Sequence, residues 1–277
     1  MNKQPIKIGV VAPACRLNPA AAEKVLAIAA ESYPGGRVEI MIHPQCYLSD
    51  GHFAGDDAAR AAAFLEVAND PTIDAVWFAR GGYGACRILE AVIPHLGEAA
   101  KAKTYLGYSD LGSLLGALYR QGFAHLAHGP MVMDARREGG EAAVRRALAW
   151  LVDRDPAALE PSLAPGEKAA AFNITILAAL LGTPFEPDLT DHVLMLEEVS
   201  EPTYRIDRSL FQLSSNPGVR RVAGIRLGRC SDIIPNDPDF IRTEEEVVTD
   251  WCGRSGIPYL GRADIGHDAD NRIVPFG

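Results

Sequence analysis

The chain has 277 residues, a net charge of −9 and a hydrophobic fraction of 48%. This length suffices for one large domain or two smaller ones, and the composition is ordinary for a globular protein. The acidic balance argues against nucleic acid or an anionic membrane as a partner, because both bind basic surfaces. No apolar run approaches the roughly 20 residues that cross a bilayer.

The cysteines and the N-terminus predict a cytoplasmic protein. The five cysteines are odd in number and widely spaced, and they contain no C-x-x-C pair. This pattern disfavours both a disulfide framework and a zinc site. The first five residues lead directly into a strand-like segment, without the apolar region of a signal peptide. We therefore expect a reducing compartment, no metal and no membrane partner.

The first half of the chain alternates strand-like and helix-like segments. Strands are expected at 6–11, 38–42, 73–78, within 104–110 and at 123–128, and helices at 19–32, 56–69, 85–93, 111–118 and 140–152. This alternation is typical of a doubly wound, mostly parallel α/β sheet of the flavodoxin or amidotransferase kind. In such sheets the site lies beyond the carboxyl ends of the strands.

The second half of the chain begins with a change in composition and continues with further strand-like and helix-like segments. Residues 153–168 are rich in Pro, Ala and charge, which indicates a linker, and a short helix is expected at 173–181. Further strands are expected at 192–199, 221–227 and 257–265, and helices at 204–213 and 244–252. We predict an N-terminal α/β domain over 1–152, a linker and connecting helix over 153–184, and a smaller C-terminal α+β domain over 185–277.

The segment 104–110, Thr-Tyr-Leu-Gly-Tyr-Ser-Asp, is the first candidate site. A strand that enters a helix through a tight turn lifts one side chain clear of the sheet, as in the G-x-S-x-G motif of serine hydrolases. Gly107 and Ser109 fit the first half of that motif, but the next glycine, Gly112, comes one residue late. A serine before an aspartate at a helix start is more often a cap, so both interpretations stay open on this stretch alone.

A glycine-rich loop, Gly81-Gly82-Tyr83-Gly84, follows Arg80 at the end of the third expected strand. It forms either a plain tight turn or a backbone that brings N–H groups close to a ligand oxygen. It does not match the dinucleotide or P-loop motifs, which disfavours a nucleotide cofactor. Because this loop and Ser109 both follow strands, we expect them at the same edge of the sheet.

Several histidines and acids are candidates for proton transfer. His128 and His267 each follow a strand-like segment, whereas the other five histidines have no supporting context, and no metal-binding spacing occurs. Glu197 and Glu198 end a strand, so their side chains are expected on opposite faces, one buried and the other solvated. The alternative is a pair of ordinary exposed acids.

Short segments along almost the whole chain together resemble one family. In order they are IGVVAPA (8–14), DAVWFARGGYG (74–84), GYSD (107–110), HGPM (128–131), LLGTP (180–184), LEEV (196–199), EP (201–202), YRIDR (204–208), GH (266–267) and VPFG (274–277). This order resembles the LD-carboxypeptidase family of serine peptidases, which includes the microcin-C immunity peptidases. Two departures concern substrate contacts: Ala171-Phe172 stands where the family often has Gly-Gly, and Leu-Gly-Ser-Leu-Leu follows Asp110 where Thr and His are common.

The resemblance implies a Ser-Glu-His triad with Ser109 as nucleophile, Glu197 as orienting acid and His267 as base. Glu197 is preferred because it matches the first acid of the family's Leu-Glu-Asp/Glu-Val segment. On the same basis we expect an oxyanion hole from the backbone N–H groups of Gly82 and Asp110. We expect the Asp110 carboxylate to cap the following helix. Substrate contacts are expected from Arg80, Gly81 and Tyr83, and no cofactor is expected.

The resemblance also implies a substrate and an assembly. It points to a small peptide with a C-terminal D-amino acid, namely murein tetrapeptide, from which D-alanine is released during cell-wall recycling by a homodimeric enzyme. Three alternatives remain open: a peptidase for microcin-like peptidyl-nucleotide conjugates or another amide, an α/β-hydrolase esterase, and a non-catalytic peptide binder. The esterase shares the order Ser…acid…His, but the missing second elbow glycine counts against it.

Overall fold

The computed structural model describes residues 4–277, which form two β-sheets flanked by helices. The strands in this part of the chain are β1 Ile6–Val11, β2 Val38–Ile42, β3 Ala75–Phe78, β4 Thr104–Gly107, β5 Leu126–His128, β6 Ala169–Asn173, β7 Val193–Val199, β8 Gly224–Ser231, β9 Tyr259–Arg262 and β10 Val274–Pro275. Its α-helices are α1 Pro19–Ser32, α2 Asp57–Asn69, α3 Leu89–Val92, α4 Glu98–Lys101, α5 Gly112–Arg120, α6 Gly140–Leu148, α7 Ile174–Leu180, α8 Thr203–Ser215 and α9 Glu244–Ser255. Within residues 4–277, none of these helices has the length and apolar character needed to cross a membrane.

The first sheet has the strand order β10-β5-β4-β3-β1-β2. Its strands β1 to β5 pair in parallel, and only the edge strand β10 runs antiparallel, next to β5. Strands β3 and β4 are buried along their whole length, as strands of a parallel sheet are when helices cover both faces. The predicted doubly wound, mostly parallel sheet is confirmed.

The ends of the first helices follow from short-range sequence signals. The side chain of Asn18 accepts a hydrogen bond from Ala20 N, and Pro19 occupies the first turn of α1. The side chain of Asp56 accepts from Ala59 N at the start of α2, as its position predicts. The expected helix at 85–93 is instead divided into two 3-10 turns around α3, and Pro94, which has no N–H to continue a helix, lies in the second turn.

The second sheet has the order β6-β7-β8-β9 and is parallel throughout. Strand β7 lies inside this sheet and is buried along all but its last residue. Helix α8 packs between α7 and α9, which themselves pack against the sheet. The expected second, smaller sheet domain is therefore present; it was predicted as α+β, and its sheet is parallel with a helix between successive strands.

The limits of the predicted domains (1–152, 153–184 and 185–277) remain a prediction, and two strand pairings bear on them. Strand β6 pairs with β7, although its residues fall within the segment interpreted as linker and connecting helix. Its sequence, Ala-Ala-Ala-Phe-Asn, has no β-branched residue and so gave no strand signal. At the other end, β10 returns to the first sheet and pairs with β5. The second sheet therefore abuts the first, and the carboxyl ends of β4 and β7 lie close together.

Candidate active site

Ser109 occupies a strained turn between β4 and α5. Its φ of 59° lies in the left-handed region, which residues other than glycine adopt rarely. The 3-10 turn Ser109–Leu111 follows at once, and Leu111 N donates to the carbonyl of Tyr108 at 3.2 Å. The chain thus forms a strand-to-helix turn that projects the serine side chain from the sheet edge, even though the second motif glycine is displaced.

Three residues that are distant in sequence meet at this turn. The Oγ of Ser109 lies 2.9 Å from Nε2 of His267, and Nδ1 of the same ring lies 2.5 Å from Oε2 of Glu197. The His267 side chain is 8% exposed and that of Glu197 is 0% exposed. The structure therefore brings together the three residues that the sequence analysis assigned to a triad.

The electrostatics of His267 are dominated by burial and by Glu197. Burial lowers the pKa of His267, but the charge and the hydrogen bond of Glu197 outweigh this effect and hold the pKa above its ordinary value. The charge of Arg137 lowers the same pKa by a smaller amount. The imidazole also packs against the ring of Tyr108, with 4.9 Å between ring centroids.

Glu197 lies on β7 at an irregularity of the second sheet. The register between β7 and β8 shifts between Leu196 and Glu198, opposite Gly228. A Cβ on Gly228 would lie 3.0 Å from Cβ of Glu197 and 2.7 Å from the carbonyl oxygen of Ile265. Glycine is therefore needed there to bring β7, β8 and the segment before His267 into close contact.

Glu198 is buried as well, so the expectation of one solvated acid is wrong. Its carboxylate accepts hydrogen bonds from Thr175 N at 3.0 Å, from the Thr175 hydroxyl at 2.8 Å and from the Asn173 side chain at 2.5 Å. These donors lie at the start of α7, where a helix offers unpaired N–H groups. Glu198 therefore joins β7 to α7 on the opposite face from Glu197.

An arginine and an asparagine fix the loop that carries His267. The Arg229 guanidinium pairs with both carboxylate oxygens of Asp268 and, at 2.5 Å, with Oδ1 of Asp264. Asn271 Oδ1 accepts from Gly266 N at 3.2 Å. The loop is thus held on both sides of His267 by partners outside the triad.

His128, the other candidate base, is not part of this contact. Its Nε2 lies 3.1 Å from Oδ1 of Asn271 rather than at Ser109. Complete burial lowers the pKa of His128 to about 4, so the ring is neutral near pH 7. His128 therefore supports the loop of His267 through Asn271.

The glycine loop after β3 lies directly against the serine. A Cβ on Gly81 would come within 2.9 Å of both Cβ and Oγ of Ser109, so only glycine fits there. Gly82 has a φ of 104°, a conformation that favours glycine. Among the hydrogen bonds formed within residues 4–277, none is donated by the N–H of Gly82 or of Asp110.

The carboxylate of Asp110 does not cap its own helix, so that interpretation is wrong. Its Oδ2 accepts a hydrogen bond from Ala85 N at 2.8 Å and thus caps the 3-10 turn Ala85–Ile88. Burial raises the pKa of Asp110 to about 6. The side chain therefore ties the turn of Ser109 to the glycine loop.

A cavity of about 320 Å³ opens at Ser109 and His267. Its lining consists of Arg80, Gly81, Gly82, Tyr108, Ser109, Met131, Met133, Asp134, Arg136, Arg137 and His267. Of the predicted substrate contacts, Arg80 and Gly81 line it, whereas Tyr83 does not and packs near Phe53. A larger cavity of about 680 Å³ lies along the linker and shares no lining residue with the first. In residues 4–277, no group of three or more His, Cys, Asp or Glu side chains is placed to hold a metal ion.

The residues that follow the His128-Gly129-Pro130-Met131 segment belong to the site and were not predicted from the sequence. Asp134 accepts hydrogen bonds from the Tyr108 hydroxyl at 2.9 Å and from Arg137 Nε at 2.7 Å, and all three line the cavity. The available signal was the cluster of charged residues at 134–138, shortly after the strand expected at 123–128 and at the sheet edge that carries Ser109. The arrangement as a whole places a serine hydroxyl beside an imidazole that contacts a carboxylate, at a small cavity lined by three arginines.

Comparison with known proteins gives two family matches. The N-terminal domain model of the LD-carboxypeptidase family matches residues 8–129, and its C-terminal domain model matches residues 169–277. A putative carboxypeptidase of Synechocystis is 33% identical, over 82% of this chain and 75% of the relative. A probable murein peptide carboxypeptidase of Bacillus subtilis is 28% identical, over 98% of this chain and 86% of the relative.

Solved structures of similar fold cover nearly the whole chain. Muramoyltetrapeptide carboxypeptidase from Oxalobacter formigenes has a TM-score of 0.80 at 23% identity, covering 97% of this chain and 93% of that one. MccF in complex with glutamyl sulfamoyl guanosine also has a TM-score of 0.80, at 17% identity, covering 100% of this chain and 92% of that one. These likenesses establish the fold. Together with the two family matches, they place this chain in the LD-carboxypeptidase family, a family of serine carboxypeptidase-type hydrolases.

Proposed function

We propose that this protein hydrolyses the amide bond between an L-residue and a C-terminal D-residue, with Ser109 as nucleophile. His267 acts as the general base and Glu197 as the acid that orients it. The observation that carries the proposal is the continuous contact from Ser109 Oγ to His267 Nε2 (2.9 Å) and from His267 Nδ1 to Glu197 Oε2 (2.5 Å). Serine needs such a base because its hydroxyl is otherwise a weak nucleophile.

The reaction begins with proton transfer within this contact. His267 Nε2 takes the hydroxyl proton while Ser109 Oγ attacks the carbonyl carbon of the scissile amide. Glu197 keeps the second ring nitrogen protonated and stabilises the imidazolium that forms. His267 then protonates the departing amine, and water hydrolyses the acyl-enzyme with the same residue as base. The roles therefore follow from one ring that first accepts a proton and then donates it.

The oxyanion of the tetrahedral intermediate is bound, in this proposal, by the N–H groups of Gly82 and Asp110. The contact between Gly81 and Ser109 supports this assignment because it places the glycine loop beside the nucleophile. Neither N–H donates a hydrogen bond within residues 4–277, which leaves both donors for a substrate oxygen. In comparable sites the loss of one donor costs about 3–4 kcal/mol in transition-state stabilisation.

Murein tetrapeptide is the proposed substrate, and D-alanine is the proposed product, released in cell-wall recycling. The support is the name of the relative from Bacillus subtilis, a probable murein peptide carboxypeptidase that matches 98% of this chain. A cytoplasmic location and a homodimeric state belong to the same proposal. All five cysteines are free thiols, which favours a reducing compartment.

The second candidate substrate is a microcin-like peptidyl-nucleotide conjugate. It is favoured by the likeness of the fold to MccF, whose structure is described in complex with glutamyl sulfamoyl guanosine. The chemistry of the bond differs little between the two candidates, since both are amides. What differs is the group that leaves, so the assay must identify the released product.

The test compares product release from both substrate types by the purified chain. We expect D-alanine from tetrapeptide, little cleavage of an aminoacyl sulfamoyl adenosine, and no release of either product by Ser109→Ala. Ser49→Ala serves as a matched control because Ser49 is exposed and does not line the cavity. D-Alanine release by a folded Ser109→Ala variant would refute the mechanism. Preferential cleavage of the nucleotide conjugate would replace the proposed substrate with the second candidate.

A further inference from the structure

The cavity at Ser109 is rich in cationic side chains although the whole chain carries a net charge of −9. Three arginines line it, Arg80, Arg136 and Arg137, together with one acidic side chain, Asp134. Such a concentration of positive charge in an acidic protein favours an anionic ligand at this place. The arginines differ in how they are held, and this difference identifies which of them is built to bind a defined group.

Asp134 is engaged by three donors of the protein, and its one negative charge offsets only one of the three arginines. Its Oδ1 accepts from the Tyr108 hydroxyl at 2.9 Å and from Arg137 Nε at 2.7 Å, and its Oδ2 accepts from Met131 N at 2.8 Å. The residue is 5% exposed. Asp134 therefore fixes Arg137 through the inner nitrogen of the guanidinium.

Arg137 lines the cavity, and the protein engages the outer nitrogens of its guanidinium only weakly. Its Nη2 lies 3.4 Å from the Tyr108 hydroxyl, and within residues 4–277 its Nη1 donates no hydrogen bond. The side chain is 40% exposed. A planar guanidinium fixed at Nε has two parallel donors free, and these match the two oxygens of a carboxylate. Arg80 and Arg136 have no such anchor among the described residues.

Arg137 also lies close to the group that serves the departing amine. Arg137 Nη2 approaches the hydroxyl of Tyr108, and the ring of Tyr108 packs on the ring of His267 with 4.9 Å between the ring centroids. In a substrate with a free C-terminus, the carboxylate carbon is two bonds from the scissile nitrogen, or about 2.5 Å. A cation that binds this carboxylate must therefore lie beside the base that protonates the amine.

Resting on the proposed function, we propose that Arg137 binds the α-carboxylate of the C-terminal D-residue. This contact restricts hydrolysis to the last amide bond of the peptide, because an internal residue has no carboxylate to offer at that position. Asp134 is a positioning residue in this arrangement, since it acts only through Arg137 and Tyr108. The specificity for free C-termini thus depends on a residue outside the triad.

The first experiment measures binding without turnover. The Ser109→Ala variant is titrated calorimetrically with L-Ala-γ-D-Glu-meso-diaminopimelyl-D-Ala and with the same peptide ending in a carboxamide. We expect the acid to bind about 10- to 100-fold more tightly, the range for loss of a charge-assisted hydrogen-bond pair. In Ser109→Ala/Arg137→Gln this preference should disappear. Equal affinities in the single variant, or no measurable affinity for the acid, would overturn the proposal.

The second experiment measures kcat/KM for both peptides with Ser109 intact. We expect Arg137→Gln to lower the ratio of acid to carboxamide cleavage by about 10- to 100-fold, and Arg137→Lys to lower it less. Arg254→Gln is the matched control, an exposed arginine that pairs with Asp250 at 2.8 Å on α9. If Arg137→Gln slows both peptides equally, its role is structural and the proposal fails. The proposed function would survive that result, since it depends on D-alanine release by Ser109.

Discussion

The Oε2 atom of Glu197 lies 2.5 Å from His267 Nδ1, and the other carboxylate oxygen, Oε1, is buried without a hydrogen-bond partner within residues 4–277. Glu197 therefore interacts with one strong donor and has no competing one. Since both side chains are almost fully buried, little water screens the pair. This contact orients the imidazole through Nδ1, and it holds the pKa of His267 up against the opposing effect of burial.

The pH dependence of activity should follow His267. The ring must be neutral to accept the serine proton, so kcat/KM should rise with pH through a pKa above the ordinary value of 6.5. Glu197→Gln removes the charge that raises this pKa while burial still lowers it, so the rising limb should move to lower pH. The plateau should fall by about 10³- to 10⁴-fold, as when an amide fixes the wrong tautomer in other triads. A pH–rate profile of D-alanine release measures both effects.

Glu198→Gln provides the control for this profile. Glu198 has the same side chain and is also buried on β7, but its hydrogen bonds go to Asn173 and Thr175. Its replacement should leave the rising limb near the wild-type position, even if it lowers stability. If the rising limb of the pH–rate profile shifted equally in Glu197→Gln and Glu198→Gln, its position would depend on the general charge of the site rather than on the contact between Glu197 and His267.

The contact between Gly81 and Ser109 predicts a sharp steric effect. A Cβ at Gly81 would lie 2.9 Å from Oγ of Ser109, too close for the hydroxyl to keep its place beside His267. We expect Gly81→Ala to reduce kcat/KM by at least about 100-fold, because displacement of a reacting atom by about 1 Å is enough for such a loss. The cost in folding free energy should be only about 1–3 kcal/mol. Kinetics and thermal unfolding of the same preparation separate the two quantities.

Gly253→Ala is a suitable control for this substitution. Gly253 lies in α9, and nothing is found within 4 Å of a Cβ built there. Alanine in a helix should raise stability by up to about 1 kcal/mol without changing activity. Wild-type activity of Gly81→Ala would mean that the glycine loop and Ser109 separate in solution, which would also weaken the proposed oxyanion hole.

The elements governed by short-range signals were the most predictable. The limits of β1, α1 and β2 agree with the sequence prediction because apolar periodicity, Pro19 and local turns determine them. Strand β6 was missed because three alanines carry almost no strand preference, and it forms a strand only through pairing with β7. Its conformation is imposed by tertiary contacts.

The strand ends alone predicted that Ser109 and the glycine loop lie at one sheet edge, whereas the triad could be predicted only through resemblance. Ser109 and His267 are separated by 158 positions, and no local pattern indicates that they meet. The contacts of Asp134 with Tyr108 and Arg137 were missed for a similar reason, since each residue alone is an ordinary polar residue. Their role depends on two loops that meet at one sheet edge. No periodicity in a single sequence indicates that these two loops lie close together.

Arg229 should influence catalysis through the loop that carries His267. Its guanidinium bridges Asp264 and Asp268, on either side of His267, and Arg229→Gln leaves the two carboxylates without their shared cation. We expect kcat to fall about tenfold with little change in KM, because the ring shifts while the cavity keeps its lining. Amide hydrogen exchange of residues 264–268 should accelerate in parallel.

Arg145→Gln is the matched control for Arg229→Gln. Arg145 also bridges two carboxylates, Glu31 and Glu141, but on α1 and α6 away from the cavity. Its replacement should alter neither kcat nor exchange at residues 264–268. Unchanged kcat in Arg229→Gln, despite faster exchange of the loop, would show that the ion pairs stabilise the fold without positioning His267.

Asp110 should make stability depend on pH in a defined direction. Burial raises its folded-state pKa from 3.8 to about 6, and its Oδ1 is buried without a partner among the described residues. The folded state therefore binds this proton more tightly than the unfolded state does. The resulting stability is fully present below about pH 4 and is lost as pH rises through about 6, by on the order of 3 kcal/mol. Asp110→Asn lacks the titration but keeps an oxygen for Ala85 N. Between pH 4 and 8, the free energy of unfolding in urea should therefore rise in the variant relative to the wild type by the same amount, on the order of 3 kcal/mol. Parallel stability curves over that range would mean that water reaches the carboxylate and that its burial is incomplete in solution.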